Sequence, residues 1–355
     1  MKIGIVGLPN AGKTTLFNAL TRASAQTAPY PFTTVEPNVA MVEVPDERLA
    51  PVAAAAQARP LVPETIEFRD NAGLVRGASR GEGLGNRFLA EIRETDAICH
   101  VVRAYRDESV PHPDGPLDPV ADAEVVETEL YLADLEQAER RLERVRKQAG
   151  SGAKELAAER EWLERVTSAL ARGEPARSVP PPDLAPEASA NLQALSSKPM
   201  LYVANVDEGE HAPPAGLAAH AREAPCIAVS ARIEAELAEL SAAEAAEMRA
   251  ELGVGEWGLA RLVRAAYDLL GLITFFTAHR GSEARARALP HGATAWDAAG
   301  RIHGDIQAGF VRAEVIGWRE LVETGGYAEA RERGLLRTEG RDYVVRDGDV
   351  ITIRH

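Results

Sequence analysis

Cysteine is nearly absent: among 355 residues only Cys99 and Cys226 occur, each inside an apolar run. Two thiols placed that way argue against a disulfide framework or a zinc site, and they suit a reducing compartment. Apolar runs of membrane-spanning length are missing too. Positive charge is in deficit, with 40 Lys and Arg against 54 Asp and Glu for a net charge of −14. That excludes a protein coated in positive charge for indiscriminate nucleic-acid binding; no DNA partner is expected, and a local basic patch stays open. A strand-like run already begins at Lys2, so no signal peptide is expected. The expectation is a soluble, monomeric, cytoplasmic protein with no membrane partner. Its length calls for two or three domains, and 45% apolar residues are enough to fill their cores.

What is present is concentrated in one early stretch. Gly7-Leu8-Pro9-Asn10-Ala11-Gly12-Lys13-Thr14, followed by Thr15, reads G-x-x-x-x-G-K-T. Lys2–Val6 before it reads as a buried strand, and Leu16, Phe17 and Leu20 after it recur at helical spacing. A loop in that setting aims successive backbone N–H groups, and the positive end of a helix, at one polyphosphate. Gly7 and Gly12 are expected to let the backbone close round the anion. Lys13 is expected to reach the β- and γ-phosphates, and the Thr14 hydroxyl a Mg²⁺ ion.

Downstream stretches fit the same chemistry. Tyr30-Pro31-Phe32-Thr33-Thr34 is extended and loop-like, and a threonine there suits a γ-phosphate sensor. Thr65–Arg69 reads as a strand running into Asp70-Asn71-Ala72-Gly73. In that D-x-x-G arrangement Asp70 would hold Mg²⁺ through water, and the Gly73 N–H would meet the γ-phosphate. Leu74 follows, and it cannot orient an attacking water. His100 reads as a structural residue of the strand 96–102. His112, in a proline-rich loop, reads first as solvated and second as the missing water-positioning group. Asn205-Val206-Asp207-Glu208 stands where GTP-binding domains carry N-K-x-D. Val206 replaces the lysine that covers the base, and Glu208 replaces the aspartate that reads two guanine donors absent from adenine. Guanine specificity is therefore expected to be relaxed. Ser230-Ala231 would bring backbone N–H groups near the base.

Between about Ala121 and Arg172, Tyr131, Leu135, Ala138, Leu142 and Val145 form a coiled-coil seam that resumes at Leu156, Leu163, Val166 and Leu170. The reading is an antiparallel helical hairpin with its tip near Gly150–Gly152. Arg140, Arg141, Arg144, Arg146 and Lys147 gather near that tip, as a solvated face or a macromolecular contact. After residue 272 a small α+β domain is expected, with a hairpin at Asp347-Gly348.

Taken together, GLPNAGKTTLFNAL, YPFTTVEPN, DNAGLVRGAS with GEGLGNRFL, LYVANVDE, VSARIEAELAEL, AAYDLLGLITFFTA, GFVRAEVI and DYVVRDGDV resemble the YchF family of Obg-like ATPases over essentially the whole chain. The resemblance implies an α/β P-loop NTPase domain of Obg type (1–120 and 190–272), a coiled-coil insert (121–189) and a C-terminal TGS domain of β-grasp type (273–355). It implies ATP bound and hydrolysed in preference to GTP, and association with ribosomes, the large subunit or the whole particle, through local basic patches. By position, Asn10, Ala11, Gly12, Lys13, Thr14 and Thr15 would hold the phosphates, Thr14 and Thr34 would ligate Mg²⁺, and Asn205, Val206 and Glu208 would sit by the base. Leu74 takes the place of the usual glutamine, and His112 that of a loop histidine serving hydrolysis. Asn10 together with Leu74 adds a candidate K⁺ site between the phosphates. The rival readings are a GTP-specific GTPase of the same fold and a nucleotide-gated ribosome-binding protein with incidental hydrolysis.

Overall fold

The structure is a computed structural model, and residues 1–27, 38–70, 84–112, 115–148, 154–251 and 258–355 are described. In chain order the elements are β1 (Lys2–Val6), α1 (Lys13–Thr27), β2 (Val39–Glu43), α2 (Leu49–Ala56), β3 (Leu61–Val62), β4 (Thr65–Asp70), α3 (Leu84–Arg93), β5 (Ala97–Arg103), α4 (Pro119–Gln148) and α5 (Lys154–Ala171). They continue with α6 (Ala188–Leu192), β6 (Met200–Asn205), α7 (Ala215–Ala221), β7 (Cys226–Val229), α8 (Ala231–Leu237), α9 (Ala242–Glu251) and α10 (Gly258–Leu269). Last come β8 (Leu272–Ala278), β9 (Ala284–Pro290), α11 (Ala295–Ile302), α12 (Gly304–Ala308), β10 (Arg312–Gly317), α13 (Trp318–Thr324), α14 (Tyr327–Glu332), β11 (Arg337–Glu339) and β12 (Asp349–Arg354). The chain divides into one compact unit of Met1–Val42 with Glu67–Leu262 and a second of Glu43–Ile66 with Val263–His355.

The first unit is built on a sheet of order β2-β4-β1-β5-β6-β7, in which β4, β1, β5, β6 and β7 run parallel. β5 and β6 are buried along their whole length, which is why they read as unbroken apolar runs rather than alternating ones. Phe88, Leu89 and Ile92 of α3, Ala123, Val126 and Leu130 of α4, and Leu217 of α7 share one core with Val6, Ile98, Val102, Tyr202 and Ala204 of the sheet. Register fixes the functional edge. Ile5 lies beside Asp70, Val6 beside His100, Arg103 beside Asn205, and Asn205 beside Val229. The carboxyl ends of all five parallel strands therefore align, where ligands of such sheets bind.

The inserted helices form from the seam the sequence shows. Asp118 caps α4, its Oδ1 accepting from the N–H groups of Val120 at 3.0 Å and Ala121 at 3.1 Å. Farther along, Ala138, Leu142 and Val145 pack with Trp162, Leu163, Val166 and Leu170 of α5. The buried Trp162 Nε1–H donates to the Val179 carbonyl at 3.0 Å, pinning the segment that leaves α5. Asp134, fully buried, accepts from Leu195 N at 2.8 Å, Ser196 N at 2.7 Å and Ser196 Oγ at 2.6 Å. These bonds satisfy a carboxylate that would be costly to bury alone, and they tie the return segment to α4. The expected tip at 150–152 lies outside the described residues.

The second unit departs from the expected boundary. Residues 43–66, read from sequence as part of the nucleotide domain, belong here. Leu49, Val52, Ala53 and Ala56 of α2 share a core with Phe276, Ala286, Ile316 and Leu321, and β3 joins the sheet edge parallel to β9. Arg48 is paired with Asp46 at 2.8 Å and Asp347 at 2.6 Å. The sheet order is β11-β10-β12-β8-β9-β3. The expected hairpin at Asp347-Gly348 is not formed. β12 pairs with β10 and β8, and the run before the turn contributes only an isolated bridge between Thr294 and Val344. Asp347 instead accepts from Thr274 N at 2.9 Å. No described helix is long and apolar enough to cross a membrane.

Candidate nucleotide site

The two P-loop glycines are required by their neighbours. A Cβ on Gly7 would stand 2.3 Å from the Val101 carbonyl oxygen of β5, and one on Gly12 would stand 2.1 Å from Asn205 Nδ2. Gly12 also has φ +94°, a conformation other residues rarely adopt. Room for an anion was the expected reason. In this structure the loop lies so close to β5 and to the β6 end that any side chain collides. Asn10 has φ +62°, which asparagine tolerates better than most residues.

At the phosphate end, α1 starts at Lys13 and presents Thr14 and Thr15 on its exposed first turn. Lys13 is buried and its ammonium donates to the Leu8 carbonyl at 2.7 Å. Burial lowers its pKa to about 8, with Asp70 pulling the other way. Asp70, half-buried at the end of β4, accepts from Thr14 Oγ1 at 3.4 Å. Its pKa is raised by burial, against the opposing pull of Lys13 and Thr14. A hydroxyl and a carboxylate converging on one point fit a hard dication held by few protein oxygens. Among the described residues no cluster of three or more His, Cys, Asp or Glu could cage a metal. Thr34, Gly73 and Leu74 lie outside the described residues.

At the base end, Asn205 is buried and spends both ends of its amide inside the protein. Nδ2 donates to the Ala11 carbonyl at 3.0 Å, and Oδ1 accepts from the Ala231 N–H at 3.0 Å. It is a strut between P-loop and α8, so the Ala231 N–H expected to face the base is committed to Asn205. Val206 is 2% exposed within the sheet core and does not cover an open base face. Glu208 is exposed and, with His211, Ser230, Glu234, Arg249 and Arg261, lines a cavity of about 50 Å³. Glu234 was not singled out from sequence. It lies one helical turn past Ser230, is 5% exposed, and accepts from the Gly258 N–H at 2.6 Å, while its Oε2 has no hydrogen-bond partner among the described residues. Burial raises its pKa to about 7.

The loop after β5 closes over the P-loop. Arg103, buried at the strand end, donates to the carbonyls of Asp107 and Val110 at 3.0 Å each and of Tyr105 at 3.3 Å, and lies over the Tyr105 ring. Tyr105 donates its hydroxyl to the Asn10 carbonyl at 2.7 Å, Asn10 Nδ2 donates to the Pro111 carbonyl at 3.1 Å, and Arg106 N–H reaches Asp207 Oδ2 at 3.0 Å. His112 is not solvated as a loop histidine usually is. Its side chain is 10% exposed and its Nε2 lies 2.9 Å from Asp122 Oδ2. Sequence reasoning missed Arg103 and Asp122; a charged residue closing an otherwise apolar strand was the available signal. His100 is a buried strand residue as expected, its pKa pushed down to about 4 by burial. Of the basic residues near the α4–α5 tip, Arg140, Arg141, Arg146 and Lys147 each sit on a glutamate, within 2.7 to 3.3 Å.

Residues 2–141 match a family model described as a 50S ribosome-binding GTPase, and residues 272–355 match the YchF-GTPase C-terminal model, described as a protein of unknown function (DUF933). The chain is 48% identical to "Ribosome-binding ATPase YchF" of Bacillus subtilis (strain 168), covering 99% of this chain and 98% of the relative. It is 46% identical to the protein of the same name in Escherichia coli O157:H7, with 99% and 98% covered. A solved structure titled "Structure of the Schizosaccharomyces pombe YchF GTPase" superposes with TM-score 0.88 at 32% identity, covering 100% of this chain and 97% of that one.

Proposed function

This chain belongs to the YchF family, and on that footing we propose that it binds Mg²⁺-ATP and hydrolyses the γ-phosphate as a ribosome-associated switch in the cytoplasm. The observation that carries ATP over GTP is the base end. Glu208 stands where a guanine-reading aspartate is needed, and Val206 is buried where a base-covering lysine would emerge. The Lys13 ammonium and the α1 N-terminus bind the phosphates. Thr14 and Asp70 would hold Mg²⁺, with Thr34 as a further ligand, and the ion when bound supplies charge to the phosphate oxygens. Catalysis is then mostly positioning and charge. His112 takes the water-positioning role that Leu74 cannot perform, and Gly73 offers its N–H to the γ-phosphate. K⁺ near Asn10 is a further candidate charge. Ribosome contacts are assigned to the helix pair α4–α5 and to the second unit, and the working form is a monomer.

The relatives' names say ATPase, while the solved relative's title says GTPase, so the base preference is the point to test. Affinity for ATP and GTP is measured in one K⁺/Mg²⁺ buffer for the unmodified chain and for Glu208→Asp. Tighter ATP binding that shifts toward GTP by roughly 3- to 10-fold in the variant is expected, a change of about 1 kcal/mol. Tighter GTP binding by the unmodified chain would establish the GTPase reading instead. Val206→Lys would be no clean probe, since burying an ammonium there costs on the order of several kcal/mol and would unfold the site.

A further inference from the structure

The loop that touches the P-loop is also fastened to the root of the inserted helices. Pro111 holds Asn10 through its carbonyl, and the next residue, His112, is held by Asp122. Asp122 lies in the first turn of α4 and is 6% exposed. α4 has 30 residues, so the helix is about 45 Å long and reaches about 40 Å beyond Asp122. A hydrogen-bonded route thus runs from the P-loop tip through His112 to the base of a long lever. The place His112 occupies is unsuited to holding a water. Its ring shares a crevice with Leu8, Ala11, Val101, Arg103 and Asp122, and that crevice has no room for a water-sized sphere. A histidine that positions the attacking water must therefore leave it.

We infer that Asp122 is a positioning residue that keeps His112 withdrawn, and that movement of the α4 root releases the imidazole and sets the rate of hydrolysis. The inference rests on the reading of the site as a triphosphate-hydrolysing one. The pair suits a two-state restraint. Both side chains are largely out of water, so their hydrogen bond is stronger than a surface contact. The partner that moves α4 is the ribosome, acting through the helix pair. Arg103 keeps the rest of the loop in place during the exchange, because its guanidinium spans carbonyls from Tyr105 to Val110.

The test is steady-state ATP hydrolysis by the full chain, with and without ribosomes, for the unmodified protein, Asp122→Ala, Asp122→Asn, His112→Ala and the Asp122→Ala/His112→Ala double variant. Asp122→Ala should raise basal kcat by about 5- to 10-fold with KM for ATP little changed, and Asp122→Asn, which keeps a weaker bond, should rise less. The double variant should fall to the His112→Ala rate. Fold stimulation by ribosomes should shrink in Asp122→Ala, because the restraint is already gone. A kcat of Asp122→Ala at or below the unmodified rate overturns the inference, and so does a double variant as fast as Asp122→Ala. Asp122→Asn covers the case in which the alanine variant does not fold. A chain whose His112→Ala variant is slow while Asp122→Ala is not fast leaves the functional reading standing and removes the restraint. A chain that turns over neither ATP nor GTP removes both.

Discussion

The phosphate end and the base end of the sheet edge are built differently. At the phosphate end Lys13 and Thr14 are neighbours in sequence and Asp70 arrives from β4, and among the described residues these groups have few partners. Lys13 has a carbonyl for company, and Asp70 has a hydroxyl at 3.4 Å. At the base end the groups come from separate strands and spend their hydrogen bonds on one another. Asn205 is used up between Ala11 and Ala231, and Val206 is core. Binding energy then has different sources at the two ends: an anion is attracted by the Lys13 ammonium and the α1 N-terminus, whereas the base meets a scaffold whose Asn205 amide is already spent inside the protein. On the proposed reading, affinity is set by the phosphates and base discrimination is modest.

The largest effect should come from the one residue that joins the two ends. Gly12→Ala puts a Cβ on Asn205 Nδ2 at a φ of +94°, so both steric clash and backbone strain oppose it. A loss of about 3 kcal/mol of stability is expected, with nucleotide binding abolished, as read by calorimetric melting and ATP titration. A variant that melts like the unmodified chain would show the two ends to be independent. Next in size is Glu234→Gln at the base end. A carboxyl whose pKa is raised from 4.5 to about 7 on folding contributes stability at pH below about 4.5, and loses it as pH climbs through 7. Gln keeps an oxygen for the Gly258 N–H and carries no charge to desolvate. At pH 8 the variant should be more stable than the unmodified chain by about 2 kcal/mol, and at pH 4 no more stable. Equal melting shifts at both pH values would mean that Glu234 is satisfied in solution by water.

The unequal legibility of the two ends follows from the same construction. Gly7, Gly12, Lys13 and Thr14 could be read because a phosphate cradle is a local backbone shape, and local shape is written in adjacent residues. The apolar runs of β5 and β6 and the seam of α4 were legible for a similar reason, since burial imposes a short period. Asn205 could be placed, yet its job as a strut could not, because that depends on where the Ala11 carbonyl and the Ala231 N–H arrive in space. Arg103, Asp122 and Glu234 were missed on the same ground: each acts through partners on other elements. Residues 43–66 were assigned to the wrong unit because a sequence shows that Leu49, Val52 and Ala56 want a core without showing which one. The Asp347-Gly348 hairpin failed likewise, a sound turn signal whose second strand had better partners in β10 and β8.

The smallest of these effects is the most direct reading of the phosphate end. Burial lowers the Lys13 pKa to about 8, so in the free protein the ammonium begins to lose its proton just above physiological pH. Triphosphate binds the charged form, and its negative charge pulls the pKa of the complex back up. Binding above pH 8 must then take up a proton, and affinity should fall by up to about tenfold for each further pH unit, or about 1.4 kcal/mol. Below pH 7 the lysine is charged in both states and its contribution to the pH dependence vanishes. Calorimetric ATP titrations at pH 9 in two buffers of different ionisation enthalpy read the proton directly as a difference in observed heat. Lys13→Arg provides the contrast, since a guanidinium stays charged throughout the range and should remove the proton uptake even where it weakens binding. An unmodified chain that binds ATP at pH 9 with no buffer dependence would show that Lys13 is already fully charged in the free protein, and the phosphate end would then be better satisfied than the base end rather than worse.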